Sequence, residues 1–554
     1  MILADAPSLR LALYARRYMV VAGHPLAAMA GMRVLEAGGN AVDAGVAAGF
    51  ALNVLLPDMA NLGGVAPIVL RMANAARTTT FDGIGPWPAL ATLEAVQAAG
   101  NGRIPVSPNR WVVPAAVDSW LSALARYGTW QAKDVLQPAI ELAREGFPAN
   151  YFLANNIAGA AALIRSQPRA AANFMPMGSP PAIGTSIRQP ELANTLERLA
   201  FAERRRTGSR SEGIKAARDE FYCGEIAARI DEVSRDVGAF LRADDLRNYS
   251  VREAPAISVP FAGVEVHGCG PWCQGPALLQ MLRLAEALGI AVRSPCEATH
   301  LMIEAVKVAL FDRNAYYGDP SFVDVPIERL LSAEYALSRA ADIEAGRAAR
   351  RHMGSEDRAL TPDTTYVCVV DEAGNAFSAT PSDSTILFVP MIQDLGFGIS
   401  DRGHQASLDP SNPNAIRPGK RPRMTPNPGM IVGQDVVMPF GTPGGEVQSQ
   451  AMFQYLVSVL IRGTEPQNAV EEPRWATYAV PATEDPHPFQ DGVVAVEGGD
   501  PLLTAYLENR GHAVRHWPRF AALAGGICAI RRDGRTGVLS GAADPRRMSY
   551  GIGW

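Results

Sequence analysis

A chain of 554 residues, 48% hydrophobic and 19% charged, has ample apolar material for a large buried core, which excludes a disordered or fibrous protein. A formal net charge of -5 and a pI near 6.0 leave no cationic footprint for nucleic acid or an anionic membrane, so small-molecule partners are expected. No run reaches the roughly 18 uncharged apolar residues of a membrane-spanning helix.

In chain order, Asp5, Arg10, Arg16 and Arg17 interrupt the first residues too often for the apolar core of a signal peptide. Residues 24–37 form an amphipathic helical stretch that stops at Gly38-Gly39. Asn40 then caps a second helix, AVDAGVAAGFALNVLL, which Pro57 ends; apolar nearly all round, it is expected deep against a sheet. Further helical periods lie at 190–206, 214–237, 276–288, 297–316 and 333–350, so the first 363 residues read as mostly helical. Arg204, Arg205 and Arg206 fall at a helix end, where cations suit the dipole, and read as a solvated terminus. The spacing of Cys269 and Cys273 is one residue too long for a redox pair, and six cysteines in so long a chain are too sparse for a disulfide framework. They read as packing cysteines, and a cytoplasmic location is expected. His300 and Glu304 stand one helical turn apart and read as a simple pair.

After Thr361-Pro362 the pattern changes. TTYVCVVD and AFSAT are two β-branched runs joined at 371–375, the pattern of a hairpin, and GMIVGQDVVMPF reads as a second hairpin around Gly433-Gln434. Gly441-Thr-Pro-Gly-Gly445 separates that hairpin from a helix over 447–462. Helices before and after a block of strands suggest helices on both sides of stacked sheets. His512 and His516 have the spacing of helical zinc ligands, but Gly511 and Pro518 oppose a helix there, so no metal is expected.

Thr364 sits at the start of the first strand. A threonine hydroxyl is a poor nucleophile without a base within reach, and a freed α-amine on the same residue supplies one with a pKa near neutrality. Alone, Thr-Thr before a β run is ordinary strand composition. Two features add to it: the glycines at 441–445 let backbone N–H groups approach an oxyanion, and Ser382 lies after the hairpin where its hydroxyl could return to Thr364. The glycine run also reads as a plain tight turn, and no Gly-Lys-Ser/Thr follows it for a nucleotide.

Taken together, DTTYVCVVDEAGNAFSAT, FGTPGGE and AAMAGMRVLEAGGNAVDAGVAAGFALN resemble the γ-glutamyltranspeptidase family of N-terminal-nucleophile hydrolases. LGGVAP, HLMIEAVKVALFDRNAYYGDP, LDPSNPNAIRPGKRP and AVEEPRW extend the likeness almost end to end. The resemblance implies an α/β fold, the four-layer αββα sandwich. It also implies a precursor that cuts itself between Asp363 and Thr364 into a large subunit, 1–363, and a small one, 364–554. The two fragments would remain together as an αβ heterodimer, alone or doubled as (αβ)2. Thr364 matches the nucleophile, Thr365 and Ser382 the supporting hydroxyls, and Gly444 and Gly445 the oxyanion glycines. The implied cycle passes through an acyl-enzyme released by water or an acceptor amine, with no metal or organic cofactor.

The substrate residues depart from the family pattern. Arginine is absent from Phe81-Asp82-Gly83-Ile84-Gly85-Pro86, where the family clamps the substrate α-carboxylate. Met424 and Thr425 stand at the paired serines, and Ser384 at an asparagine. The chain is therefore more similar to the acylase-like and oxamate-amidohydrolase-like branch, with Arg402 offering a replacement charge unless it is a surface residue beside Asp401. The leading expectation is a self-processed hydrolase of small amides. The alternatives are a γ-glutamyl hydrolase or transferase acting on glutathione, and an inactive, uncleaved member with a binding role.

Overall fold

A computed structural model describes residues 9–350, 364–388 and 390–554. Asp363, the expected cleavage partner, lies outside the described residues.

The second helix forms where its cap predicts. The Asn40 side chain accepts from the Val42 and Asp43 N–H groups, the Asp43 carboxylate reaches back to the Asn40 N–H, and the helix runs Ala41–Leu55 with every residue buried. With the helix Pro25–Glu36 it covers one face of a seven-stranded sheet. The spatial order of that sheet is Tyr550–Gly553, Met19–Ala22, Val367–Val370, Ala376–Ala379, Ile68–Arg71, Thr79–Phe81 and Glu253–Pro255. Because successive strand residues point to opposite faces, Val20, Val367 and Val369 pack toward these helices, while Met19, Val21, Cys368 and Val370 face inward.

The inward face meets a second seven-stranded sheet, ordered Leu13–Ala15, Leu539–Ala543, Cys528–Asp533, Val436–Gly441, Gly429–Gly433, Val264–Gly268 and Ile257–Phe261. Met430, Cys528 and Ile530 contribute to the layer between the sheets, and Ile431, Phe440 and Ala529 to the outer side, where the helices Gly275–Ala287, Pro295–Tyr316 and Val447–Leu456 close the sandwich. The architecture is the four-layer αββα sandwich, mixed α/β. Segments on either side of residue 364 supply half the strands of the two sheets, and Val367–Val370 pairs with Met19–Ala22 in register. Neither side could therefore bury its sheet faces alone.

Both expected hairpins are present, Val367–Val370 with Ala376–Ala379 and Gly429–Gly433 with Val436–Gly441. Several boundaries differ. The stretch 214–237 is two helices, Arg210–Tyr222 and Glu225–Asp236, the first begun by a Ser209–Glu212 capping box. The helix expected over 333–350 ends at Ala341, because the following chain is drawn off by tertiary bonds: the Ala348 N–H donates to the Arg510 carbonyl at 2.7 Å and the Ala349 carbonyl accepts from Lys307. The last turn of 447–462 is π-helical. Cys269 and Cys273 are buried free thiols that pack between the sheets. Among the described residues no helix is long and apolar enough to cross a membrane.

Candidate active site

Thr364 and Ser382 form an isolated antiparallel bridge at the ends of the 367–379 hairpin, and their hydroxyls meet at 2.7 Å, both buried. The pair is held from three sides. Thr365 N–H donates to the Pro381 carbonyl at 3.0 Å, Gly23 N–H to the Tyr366 carbonyl at 2.9 Å, and Ser382 N–H to the Val65 carbonyl at 3.0 Å. Asn61 adds a clamp: its Nδ2 donates to the Asp383 carbonyl at 3.1 Å while its Oδ1 accepts from Gly63 N–H at 2.6 Å.

Behind the hydroxyls runs a buried chain of charges. Arg402 donates through Nη2 to the Ser382 hydroxyl and through Nε to Asp383 Oδ1 at 2.6 Å. The adjacent Asp401 pairs with Arg110. Burial pushes the Asp383 carboxyl up, and Arg402 pulls it back. Burial acts on Asp401 in the same direction, but Arg110, His404 and Arg402 outweigh it and hold that carboxyl below its usual range. Arg402 thus biases the Ser382 oxygen, and through it the Thr364 hydroxyl.

The glycine turn lies at the end of the strand Val436–Gly441. Gly444 and Gly445 have φ of 129° and 57°, which favour glycine, and no described residue accepts a hydrogen bond from either N–H. The turn is pinned on both flanks. Thr442 Oγ1 accepts from Gly526 N–H at 2.8 Å. Glu446, which leads into the helix Val447–Leu456, accepts from Arg313 Nη1 at 3.0 Å and from Thr483 N–H at 2.6 Å. Pro443 of this turn, Thr364 and Thr365 line one cavity of about 30 Å³, room for a water or two. The cavity therefore joins the paired hydroxyls to Pro443, at the start of the glycine turn whose Gly444 and Gly445 N–H groups are unengaged among the described residues.

The other anticipated residues fall outside this constellation. Ser384 is a turn cap: its hydroxyl donates to the Pro57 carbonyl and accepts from the Ile386 and Leu387 N–H groups. Met424 packs between the sheets, and Thr425 bonds to Gln405. Arg402 is 1% exposed, so the reading of a surface residue is wrong; its ion pair with Asp383 draws it inward. In the early loop, a Cβ at Gly83 would stand 2.1 Å from the Ala66 carbonyl oxygen, Ile84 is buried, and Asp82 is tied to Arg421 at 2.9 Å. Burial lifts the Asp82 carboxyl to about 6 against that arginine.

His300 and Glu304 do not pair with each other. His300 Nδ1 meets His512 Nε2 at 2.9 Å, and Glu304 accepts from Lys307 at 2.7 Å. Among the described residues, His300, Glu304 and His512 are the group whose ligand atoms are close enough to hold a metal ion, all within 4.8 Å. Lys307 at Glu304 opposes a dication there. His516 lies on the strand Ala513–Trp517, away from that trio.

Residues 27–554 match the model of the family described as gamma-glutamyltranspeptidase. The chain belongs to the gamma-glutamyltranspeptidase family. Among relatives, it is 32% identical over 548 residues to the glutathione hydrolase-like YwrD proenzyme of Bacillus subtilis, covering 97% of this chain and 98% of that one. It is 32% identical over 544 residues to the acylase ACY 1 proenzyme of a Pseudomonas species, covering 95% and 92%. Its fold is similar to that of the cephalosporin acylase from Bacillus halodurans, with TM-score 0.87, 29% identity and coverage of 100% and 99%. Both of these relatives are named proenzymes. Asn61, Arg110, Arg313, Asp383 and Glu446, which sequence reasoning missed, carry no local pattern, since each acquires its partner through tertiary packing.

Proposed function

We propose that this chain is a self-processing amide hydrolase whose nucleophile is the Thr364 hydroxyl. The observation that carries the reading is the buried 2.7 Å contact between the Thr364 and Ser382 hydroxyls, backed by Arg402. In processing, Thr364 Oγ attacks the Asp363 carbonyl and the peptide C–N bond breaks, leaving an ester on Thr364. Water then cleaves the ester, freeing the Asp363 carboxylate and the Thr364 α-amine, and the two fragments stay together through the shared sheets.

In turnover the same oxygen attacks a substrate amide while the α-amine takes the hydroxyl proton. The Gly444 and Gly445 N–H groups hold the oxyanion. Collapse breaks the C–N bond, the amine returns the proton to the leaving nitrogen, and water releases the acid from the acyl ester. Arg402 acts as a positioning residue for Ser382, since its Nε and Nη2 already hold Asp383 and Ser382. The blocked early loop around Gly83 and Ile84 supports amides other than γ-glutamyl ones. A relative's name, glutathione hydrolase-like, keeps the γ-glutamyl reading as the competitor.

Denaturing electrophoresis and a γ-glutamyl anilide separate the readings. We expect two fragments in the wild type, one uncut and inactive chain in Thr364→Ala, and little release from the anilide beside faster cleavage of simpler acyl anilides. Activity in Thr364→Ala would overturn the proposal, and fast γ-glutamyl release would favour the competitor.

A further inference from the structure

The cavity that holds Thr364 is also lined by Asp58 and Arg547, two charged residues that lie far apart in the chain. Asp58 is 0% exposed and Arg547 9% exposed, and the cavity wall leaves one polar atom of each without a hydrogen-bond partner, Asp58 Oδ1 and Arg547 Nη2. Each side chain is otherwise fixed. Asp58 Oδ2 accepts from Asn156 at 2.7 Å, and the preceding Pro57 carbonyl accepts from Thr385 N–H at 2.7 Å, three positions beyond Ser382. Arg547 Nε donates to the Ala522 carbonyl at 3.0 Å. Its stem crosses Gly526, where a Cβ would lie 2.5 Å from Arg547 Cγ, and Gly526 N–H is bound to Thr442 of the oxyanion turn.

The neighbouring arginines do not share this condition. Arg546 is paired with Glu497 at 2.6 Å and with Asp544 at 3.1 Å, and Arg474 takes the other oxygen of Asp544. Those pairs occupy both oxygens of Asp544, and the Arg547 guanidinium feels Asp544 and Asp58 through charge. Burial lowers the Arg547 pKa to about 10, which keeps the group cationic near neutral pH. A buried guanidinium with an unpaired nitrogen is costly unless an anion completes it, and Arg547 is among the residues that line the cavity of the nucleophile.

We propose that Arg547 is the specificity-determining residue of this site and binds a carboxylate on a short acyl group carried by Thr364. Asp58 and Asp544 act on the guanidinium through charge, and the Ala522 carbonyl holds its Nε. The proposal deepens the amide-hydrolase reading and rests on it for the identity of the nucleophile. The positive charge sought at Arg402 is thereby supplied at Arg547.

The test uses the purified protein in whatever processed state it adopts, with succinate as the probe in calorimetry and with N-succinyl and N-butyryl anilides as a matched substrate pair. Wild type should bind succinate and prefer the succinyl anilide. Arg547→Met should weaken succinate binding and lower the succinyl-over-butyryl preference by about 10- to 100-fold, through KM. Arg547→Lys should keep most of the preference. Absence of succinate binding in wild type, or equal binding in Arg547→Met with an unchanged Tm, would overturn the proposal. Succinate binding that depends on Arg547 without cleavage of either anilide would instead sink the hydrolase reading and leave the anion site standing.

Discussion

At Arg402 one side chain serves two acceptors, the Ser382 hydroxyl and the Asp383 carboxylate, with all three buried. Removing the cation leaves Asp383 buried beside Asp401 with its main counter-charge gone. Arg402→Met is therefore expected to destabilise the fold by about 3–5 kcal/mol. The double variant Arg402→Met/Asp383→Asn should recover part of that loss in urea denaturation; no recovery would mean that the two groups are not coupled. The α-amine sets a second expectation. An unperturbed α-amine titrates at roughly 7.7–8.0, and only the neutral form accepts the hydroxyl proton. kcat/KM should thus fall about tenfold per pH unit below that range. A flat profile down to pH 6 would assign the base elsewhere. At this scale the sequence was partly legible. The Thr364–Ser382 relation follows from the hairpin that separates them, whereas Arg402 looked like a clamp or a surface residue because spacing alone does not reveal burial. Asp58 and Arg547 left no signal, since their relation exists only across the closed sandwich.

The glycine turn proposed to hold the oxyanion depends on an element that never touches the reacting atoms. Arg313, on the helix Pro295–Tyr316, is fully buried and bonds Glu446, the residue that joins the glycine turn to the next helix. Burial lowers the Arg313 pKa, and Glu446 opposes that shift. Replacing Arg313 by Met frees the Glu446 carboxylate and lets the donors of Gly444 and Gly445 drift, for which about 10²-fold in kcat is the expected scale. Steady-state kinetics on the processed variant, with KM nearly unchanged and partial rescue by Arg313→Lys, would support this; a fall in KM alone with kcat intact would not. Helices and hairpins were legible wherever a cap or a strict period marked them, as at Asn40. Boundaries failed where tertiary bonds override the period, as beyond Ala341.

Over the whole molecule, burial holds histidines neutral, His24 and His512 among them. Burial depresses His24, the cap of the first helix, to about 4, and His512, beside His300 and near Lys307, to about 3. An unfolded histidine titrates near 6.5, so between that pH and the folded values the unfolded chain binds protons that the native state refuses. Stability is therefore fully present above about pH 6.5 and declines as the pH falls toward 4, with each histidine contributing a loss of about 1.4 kcal/mol per pH unit. Thermal melts should move to lower temperature across that window. Equal melting at pH 7 and pH 4.5 would contradict the burial of these rings. Helices on both sides of stacked sheets were legible from the pattern, and the four-layer αββα class from the family resemblance. The equal sharing of both sheets across residue 364 was not, because short strands such as Leu13–Ala15 and Thr79–Phe81 carry too few residues for a period.

The proposed hydrolase mechanism requires the Thr364 hydroxyl to become an amino-terminal nucleophile, and amino-terminal sequencing of the smaller fragment from an active preparation reads that event at its bond. The first residues should be Thr-Thr-Tyr-Val. A different start, or an active preparation containing only the intact chain, would contradict the mechanism.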